Sequence, residues 1–139
     1  MNLQRGSAAV EFAMVVPVLV LLFGVVVGGA RTWLARGAVE QAAGAAARGV
    51  SLARSVPEAH RLAAELATAQ AAVGGLRCER FGVEVDAAAI AQPPGLPGRV
   101  GATVRCQVPL ADVLVPGWSG AMEVSATATT VLDRYRGRR

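Results

Sequence analysis

Residues 6–30 read GSAAVEFAMVVPVLVLLFGVVVGGA, and no charged side chain occurs from Phe12 to Ala30. At about 1.5 Å rise per residue, such a run spans a hydrocarbon core of roughly 30 Å. In lipid no water is present to bond the backbone, so a helix, which pairs every N–H and C=O internally, is the expected form. Pro17 lies inside the run and is expected to bend the helix, as membrane helices tolerate. Gly24 and Gly28 stand in a G-x-x-x-G arrangement, a spacing that lets two helix backbones approach closely, although Gly is also simply frequent in membrane helices. Glu11 breaks the pattern at the lip of the run. An ionised carboxylate there is costly unless it finds a partner; the plainer alternative is a helix-end charge at headgroup depth.

The helical signal continues past Ala30. Residues 31–54 (RTWLARGAVEQAAGAAARGVSLAR) contain no Pro, much Ala, and Arg36 four residues before Glu40. Leu34, Ala38, Ala42, Ala46 and Val50 form a thin stripe of small residues. A single helix over 7–54 is roughly 70 Å long, half in lipid and half standing above it as a stem. Ser55-Val56-Pro57-Glu58 then reads as a helix start, with Ser55 as cap, Pro57 in the first turn and Glu58 completing a capping box. This second helix is expected to reach Val73, with Leu62, Leu66, Ala69 and Val73 on one face and an Arg61–Glu65 pair, and to end at Gly74-Gly75.

Beyond Gly75 the period changes to two. The expected strands are Leu76 to Asp86, with Phe81, Val83 and Val85 on one face; Arg99 to Val108, with Val100, Ala102, Val104, Cys106 and Val108 on one face; and Met122 to Asp133. Cys78 has the wrong parity for the first set, which requires a bulge or a later strand start. Pro/Gly-rich linkers at 92–98 and 116–120 supply the connections. The fold class is therefore α+β: a long N-terminal transmembrane helix, a second helix, and a three-stranded antiparallel sheet packed on the second helix or on the upper half of the first.

Composition excludes several functions. The chain is 53% hydrophobic but only 4% aromatic, so its apolar content is largely Ala and Val, which builds thin helices rather than a large core. The formal net charge is +4, with every basic side chain except His60 an Arg. Those arginines are scattered and lack interleaved aromatics to stack bases, which argues against nucleic acid. The cluster Arg134, Arg136, Arg138 and Arg139 reads as a solvated tail or a contact for anionic lipid or envelope polymer. His60 is read as an exposed helix residue with nothing to orient it. Gly117-Trp118-Ser119-Gly120 is followed by Ala121 where a nucleophile elbow needs Gly, no P-loop lysine exists, and Asp112, Glu84 and Asp86 are isolated carboxylates. No enzyme, cofactor, metal or small-molecule substrate is expected. Cys78 and Cys106 lack C-x-x-C spacing and cannot make a zinc site with one His. In a cytosolic chain they read as buried thiols; outside the membrane they read as one structural disulfide, worth about 3 to 4 kcal/mol in the chain-entropy model.

Met1-Asn2-Leu3-Gln4-Arg5-Gly6, then Ser7-Ala8-Ala9-Val10-Glu11 and the apolar run, resembles the processing site of type IV pilins and pseudopilins. The stretch Ala8 to Ala13, followed by Pro17, resembles more narrowly the TadE/TadG-like minor pseudopilins of tight-adherence pili. The resemblance implies cleavage by a prepilin peptidase between Gly6 and Ser7. It also implies a role for Glu11 in setting the register between subunits by meeting the new α-ammonium of a neighbour, since pairing offsets part of the desolvation of both charges. It divides the chain into a leader (1–6), a transmembrane helix and stem (7–54) and an extracytoplasmic α+β head (55–139). The partners implied are the bacterial inner membrane, the peptidase, other pilins or pseudopilins and the assembly platform. Orientation carries a conflict: Arg31 and Arg36 after the span favour the head inside by charge, whereas the cysteine pair and the leader favour it outside, and we follow the more specific features. Two other readings remain: a secreted binding domain cleaved near Gly28-Gly29-Ala30, and an uncleaved single-pass anchor presenting an interaction domain.

Overall fold

A computed structural model describes residues 5–93, 96–113 and 119–132. Its elements run α1 (Arg5–Leu52), α2 (Val56–Val73), β1 (Arg80–Asp86), a 3-10 turn (Ala88–Ala91), β2 (Arg99–Pro109), α3 (Leu110–Val113) and β3 (Ala121–Val131). The long helix, the second helix and the antiparallel sheet in the order β1-β2-β3 make the chain α+β. The Arg134–Arg139 cluster, Asp133 and Trp118 lie outside the described residues, as does the side chain of Asp112.

α1 has 48 residues, about 70 Å of continuous helix through Pro17. Its two halves live in different surroundings. From Val10 to Val26 the described side chains are exposed on all sides. From Ala38 to Val50 it is the central element of the head, with Val39, Ala42, Ala43, Ala46 and Val50 sealed from solvent. The sheet packs on this upper half of α1, which resolves the two options left by the sequence, and α2 covers another side of it. Leu34 leaves the expected stripe and is exposed, because it lies below the level at which α2 and the sheet close over the helix.

The start of α2 follows its sequence signals with one change. Ser55 is extended and its hydroxyl accepts from the Glu58 amide at 3.4 Å. The Glu58 carboxylate, however, accepts from the Arg54 amide at 2.8 Å, one residue before the reciprocal donor of a capping box. At the other end Gly75 adopts φ +65°, and the amides of Gly75 and Leu76 donate back to Ala72 and Ala71. That is a Schellman stop, which a residue with a Cβ enters only at a cost.

The buried face of α2 differs from expectation. Ala59, Ala63, Ala67 and Ala71 face the core, while Val73 is 82% exposed, Ala69 is exposed and Leu66 stands half-exposed at the edge of the contact with α1. Close approach decides this: a Cβ built on Gly49 of α1 stands 3.1 Å from the Leu62 backbone and 3.0 Å from Leu66 Cδ1, so the centre of the contact is left to methyl groups and a bare Cα, with the leucines beside it. Arg61 and Glu65 pair at 3.0 Å as their spacing predicts, whereas Arg36 and Glu40 form no ion pair.

β1 begins at Arg80, later than Leu76, and this removes the parity conflict: Cys78 precedes the strand and Phe81, Val83 and Val85 share its inner face. On β2 the set Val100, Ala102, Val104, Cys106 and Val108 is buried as the alternation indicates. The outer face carries Arg105 between Glu84 (3.2 Å) and Glu123 (3.8 Å), and Thr103 beside Thr127 with hydroxyls 2.8 Å apart. Such exposed cross-strand pairs add little stability each but suit a solvated face.

The N-terminal half of the long helix as candidate functional site

Gly6 and Ser7 lie in the opening turn of α1, which starts at Arg5. Glu11 follows on the same helix, exposed, with Phe12 and Met14 each 71% exposed beside it. Among the described residues no ion pair or side-chain hydrogen bond engages this carboxylate. The apolar run above is equally bare. Val18, Leu19, Val20 and Leu21, four consecutive residues that point to all sides of the helix, are each more than half exposed. An 18-residue window of this helix is apolar enough to cross a membrane, and none of it is buried. A core helix of a water-soluble domain with the same composition is hidden inside its protein; this one is not. So many exposed aliphatic side chains belong in lipid or against other apolar helices.

Gly24 is exposed, and a Cβ added there meets nothing within 4 Å, so its side of the helix is open to a neighbour. Gly28 is buried, and its carbonyl accepts from the Thr32 hydroxyl at 2.9 Å. The two glycines of the G-x-x-x-G pair are therefore not equally available: one faces outward and the other is already covered within the chain.

Residues 6–48 match the family model described as TadE-like protein. Over this stretch the chain is TadE-like. The matched segment begins at Gly6 and ends within the head, so it takes in Glu11, the whole apolar run and most of the buried half of α1, and none of α2 or the sheet. No curated protein and no solved structure matches the chain. The TadE-like family is structural and associated with Tad pili, and the likeness is confined to the long helix, both its bare lower half and the part buried in the head.

The cysteines stand apart from the TadE-like helix. Cys78 and Cys106 are joined by a disulfide with Cα atoms 5.4 Å apart, tying the segment before β1 to the middle of β2. Cys106 is fully buried. Glu84 is engaged with Arg105, and the Asp86 carboxylate accepts from the Ala88 amide at 3.3 Å, so both carboxylates have local structural uses. His60 is exposed on α2. Among the described residues no group of three or more His, Cys, Asp or Glu is placed to hold a metal ion.

Sequence reasoning missed Arg77. It lies just beyond the Gly74-Gly75 stop and shares an open cleft with Arg31 at the foot of the head. The double glycine marks a turn, but only the packing of α2 against α1 shows that this turn comes back to the end of the apolar run.

Proposed function

We propose that the chain is a minor pseudopilin of a tight-adherence pilus, cut by a prepilin peptidase between Gly6 and Ser7 and held in the bacterial inner membrane by residues 12–30. The observation that carries this reading is the coincidence of the TadE-like match, which starts at Gly6, with an apolar helix that has no partner inside the molecule. A segment with so much exposed aliphatic surface is stable in lipid and transfers well into a filament in which the same surface meets other pilin helices. Glu11 at the lip of that helix then meets the α-ammonium on Ser7 of a neighbour and sets the axial register, since either charge alone in an apolar environment is heavily penalised. Gly24 presents the open face for close helix packing. Other pilins, the peptidase and the assembly platform are the partners of such a role.

The head is placed outside the cytoplasm in this reading, and the Cys78–Cys106 disulfide favours that side, because such bonds persist in oxidising compartments. The sheet-bearing head suits an accessory subunit more than the filament shaft. A secreted domain released near Ala30 is less favoured, since α1 runs through that position without interruption and Gly28 is buried.

Intact mass of the protein from native membranes tests the proposal. A mature chain beginning at Ser7, replaced by the full-length chain when the peptidase is removed, is the expected result. A start at Arg31 points to a secreted domain, and an intact Met1 to a plain anchor; either outcome overturns the pseudopilin reading.

A further inference from the structure

The three-stranded sheet ends in two open edges. Between β2 and β3 the Leu110 amide donates to Gly120 and the Leu132 amide to Gly98, so the even-numbered backbone groups of β3 face β2. The odd-numbered groups, at Glu123, Ser125, Thr127 and Thr129, therefore point away from the sheet. By the same alternation β2 turns its odd-numbered groups to β1, as the Glu79 amide donating to Gln107 shows, and β1 turns those of Phe81, Val83 and Val85 outward. Among the described residues no hydrogen bond outside the ladders engages the backbone at these positions. The inner side chains beside the edges are also incompletely covered. Phe81, Val83, Val85, Met122, Ala126 and Ala128 are half-buried, whereas Val100, Ala102, Val104, Cys106 and Val108 of the central strand are at most 5% exposed. Nothing blunts the edge on β3: its 11 residues hold no Pro or Lys, its register with β2 is continuous, and Glu123 is its one charge.

Strand direction limits what fits there. β1 and β3 both run antiparallel to β2, hence parallel to each other. A twofold pairing of β3 with β3 of a second copy reverses every direction in the sheet plane, including that of α1, which packs on the sheet. The two apolar runs then leave in opposite directions and cannot share a bilayer. Laying β1 of the second copy alongside β3 in parallel keeps both helices pointing one way. Side-chain face and hydrogen-bond direction then both require an odd residue of β3 opposite an even residue of β1. One such register sets Arg80 opposite Glu123, Gly82 opposite Ser125, Glu84 opposite Thr127 and Asp86 opposite Thr129. Opposite charges meet at one end and both remaining carboxylates face hydroxyl donors. On the inner face Phe81, Val83 and Val85 lie beside Val124, Ala126 and Ala128, large against small. We propose that a second copy of this chain docks its β1 edge on the β3 edge in this register, continuing the sheet from one head to the next. Strand twist of about 20–25° tilts the second head by roughly 60–75° over three strands. Two spans share that angle within the tilts of up to about 40° that bilayers accept, and a third does not, so the contact makes pairs. The choice of the parallel mode rests on residues 12–30 spanning a bilayer.

The test uses full-length Gly82→Cys and Ser125→Cys proteins, carrying tags of different mass and reconstituted together in phosphatidylcholine vesicles. A Cβ at Gly82 meets nothing within 4 Å, so that change is tolerated. Flotation of the vesicles reports the span; its failure overturns the spanning reading, and this proposal with it. In floated protein, mild oxidation is expected to join the two unlike variants and to leave either variant alone as monomer. Within one molecule the two positions lie two strands apart, about 10 Å, beyond the reach of a disulfide. Adding Arg80→Glu to the first protein is expected to lower the yield about fivefold, and Glu123→Arg in the second to restore it in trans. Thr127→Pro removes an N–H that the ladder with β2 does not use. It is expected to shift the thermal transition of the head by only a few degrees and to abolish the cross-link. Cross-linking of like Ser125→Cys copies identifies the twofold pairing and overturns the proposal. Absence of any cross-link in floated protein, or a yield indifferent to the charge exchange, also overturns it while leaving the span intact.

Discussion

Glu11 and Gly49 show how one side chain, or the lack of one, carries consequences here. Glu11 is exposed and makes no ion pair among the described residues, so the pseudopilin reading assigns its effect to assembly and not to folding. In the pseudopilin reading Glu11→Gln is expected to insert normally and retain an unaltered melting profile, yet to be lost from the assembled pilus fraction. Incorporation at the wild-type level in quantitative immunoblots of sheared filaments would rule out the register role. Gly44 and Gly49 lie five residues apart on α1, on different sides of the helix, with opposite constraints. A Cβ on Gly44 meets nothing within 4 Å, and replacing a helix-interior Gly with Ala removes a backbone-entropy cost of about 0.5–1 kcal/mol. A Cβ on Gly49 stands 3.0–3.1 Å from Leu66 Cδ1 and the Leu62 carbonyl carbon and oxygen. Backbone atoms cannot step aside cheaply, and overpacking of this kind costs about 1–3 kcal/mol. Gly44→Ala is therefore expected to raise Tm by a few degrees and Gly49→Ala to lower it, in detergent-solubilised protein followed by circular dichroism at 222 nm.

The second helix depends on its ends. Its cap hydroxyl, its Glu58 carboxylate and the Gly75 turn satisfy donors and acceptors that α2 cannot pair internally. Ser55→Ala removes the cap oxygen and is expected to cost about 1 kcal/mol in urea unfolding. Gly75→Ala forces a Cβ into the left-handed region at a similar cost of roughly 1–2 kcal/mol, read in the same unfolding measurement. The alanine face of α2 explains why the helix is thin: Ala63 and Ala67 let α2 lie close to α1, and the larger Leu62 and Leu66 stand at the flanks of that contact.

The molecule as a whole divides by surroundings more than by sequence position. Residues 10–26 are exposed, whereas 38–50 are the centre of the head. A chain beginning at residue 27 is accordingly expected to fold with the disulfide intact and with the thermal transition of the full-length head. A molten far-UV spectrum for that fragment would show that the lower helix does stabilise the head. The Cys78–Cys106 bond closes a loop of 28 residues in separation, and reduction is expected to lower head stability by about 3–4 kcal/mol, read as a shift in the urea midpoint with and without reductant. That is a large share of what a small, alanine-rich core provides.

Local patterns in the chain were sufficient for the apolar helix, its continuation into the head, the cap at Ser55, the stop at Gly75 and the inner faces of three strands. Each rests on spacing along the backbone, where period and cap chemistry act between near neighbours. The resemblance of residues 6–13 to a pilin processing site needed no structure either, and the family match begins at the same glycine. Packing settled the rest. On α2 Leu62 packs on the core as expected, but Leu66, Ala69 and Val73 give way to the alanine face, because hydrophobicity ranks side chains by apolar area while close helix contact selects for small volume. The sheet settled on α1 instead of α2, and the turn carrying Arg77 returned to Arg31, because these contacts join residues far apart in the chain whose distances no local pattern encodes. The exposure of residues 10–26 is of the same kind: composition made the helix apolar, but only the way the head closes above Gly28 left it with every face bare.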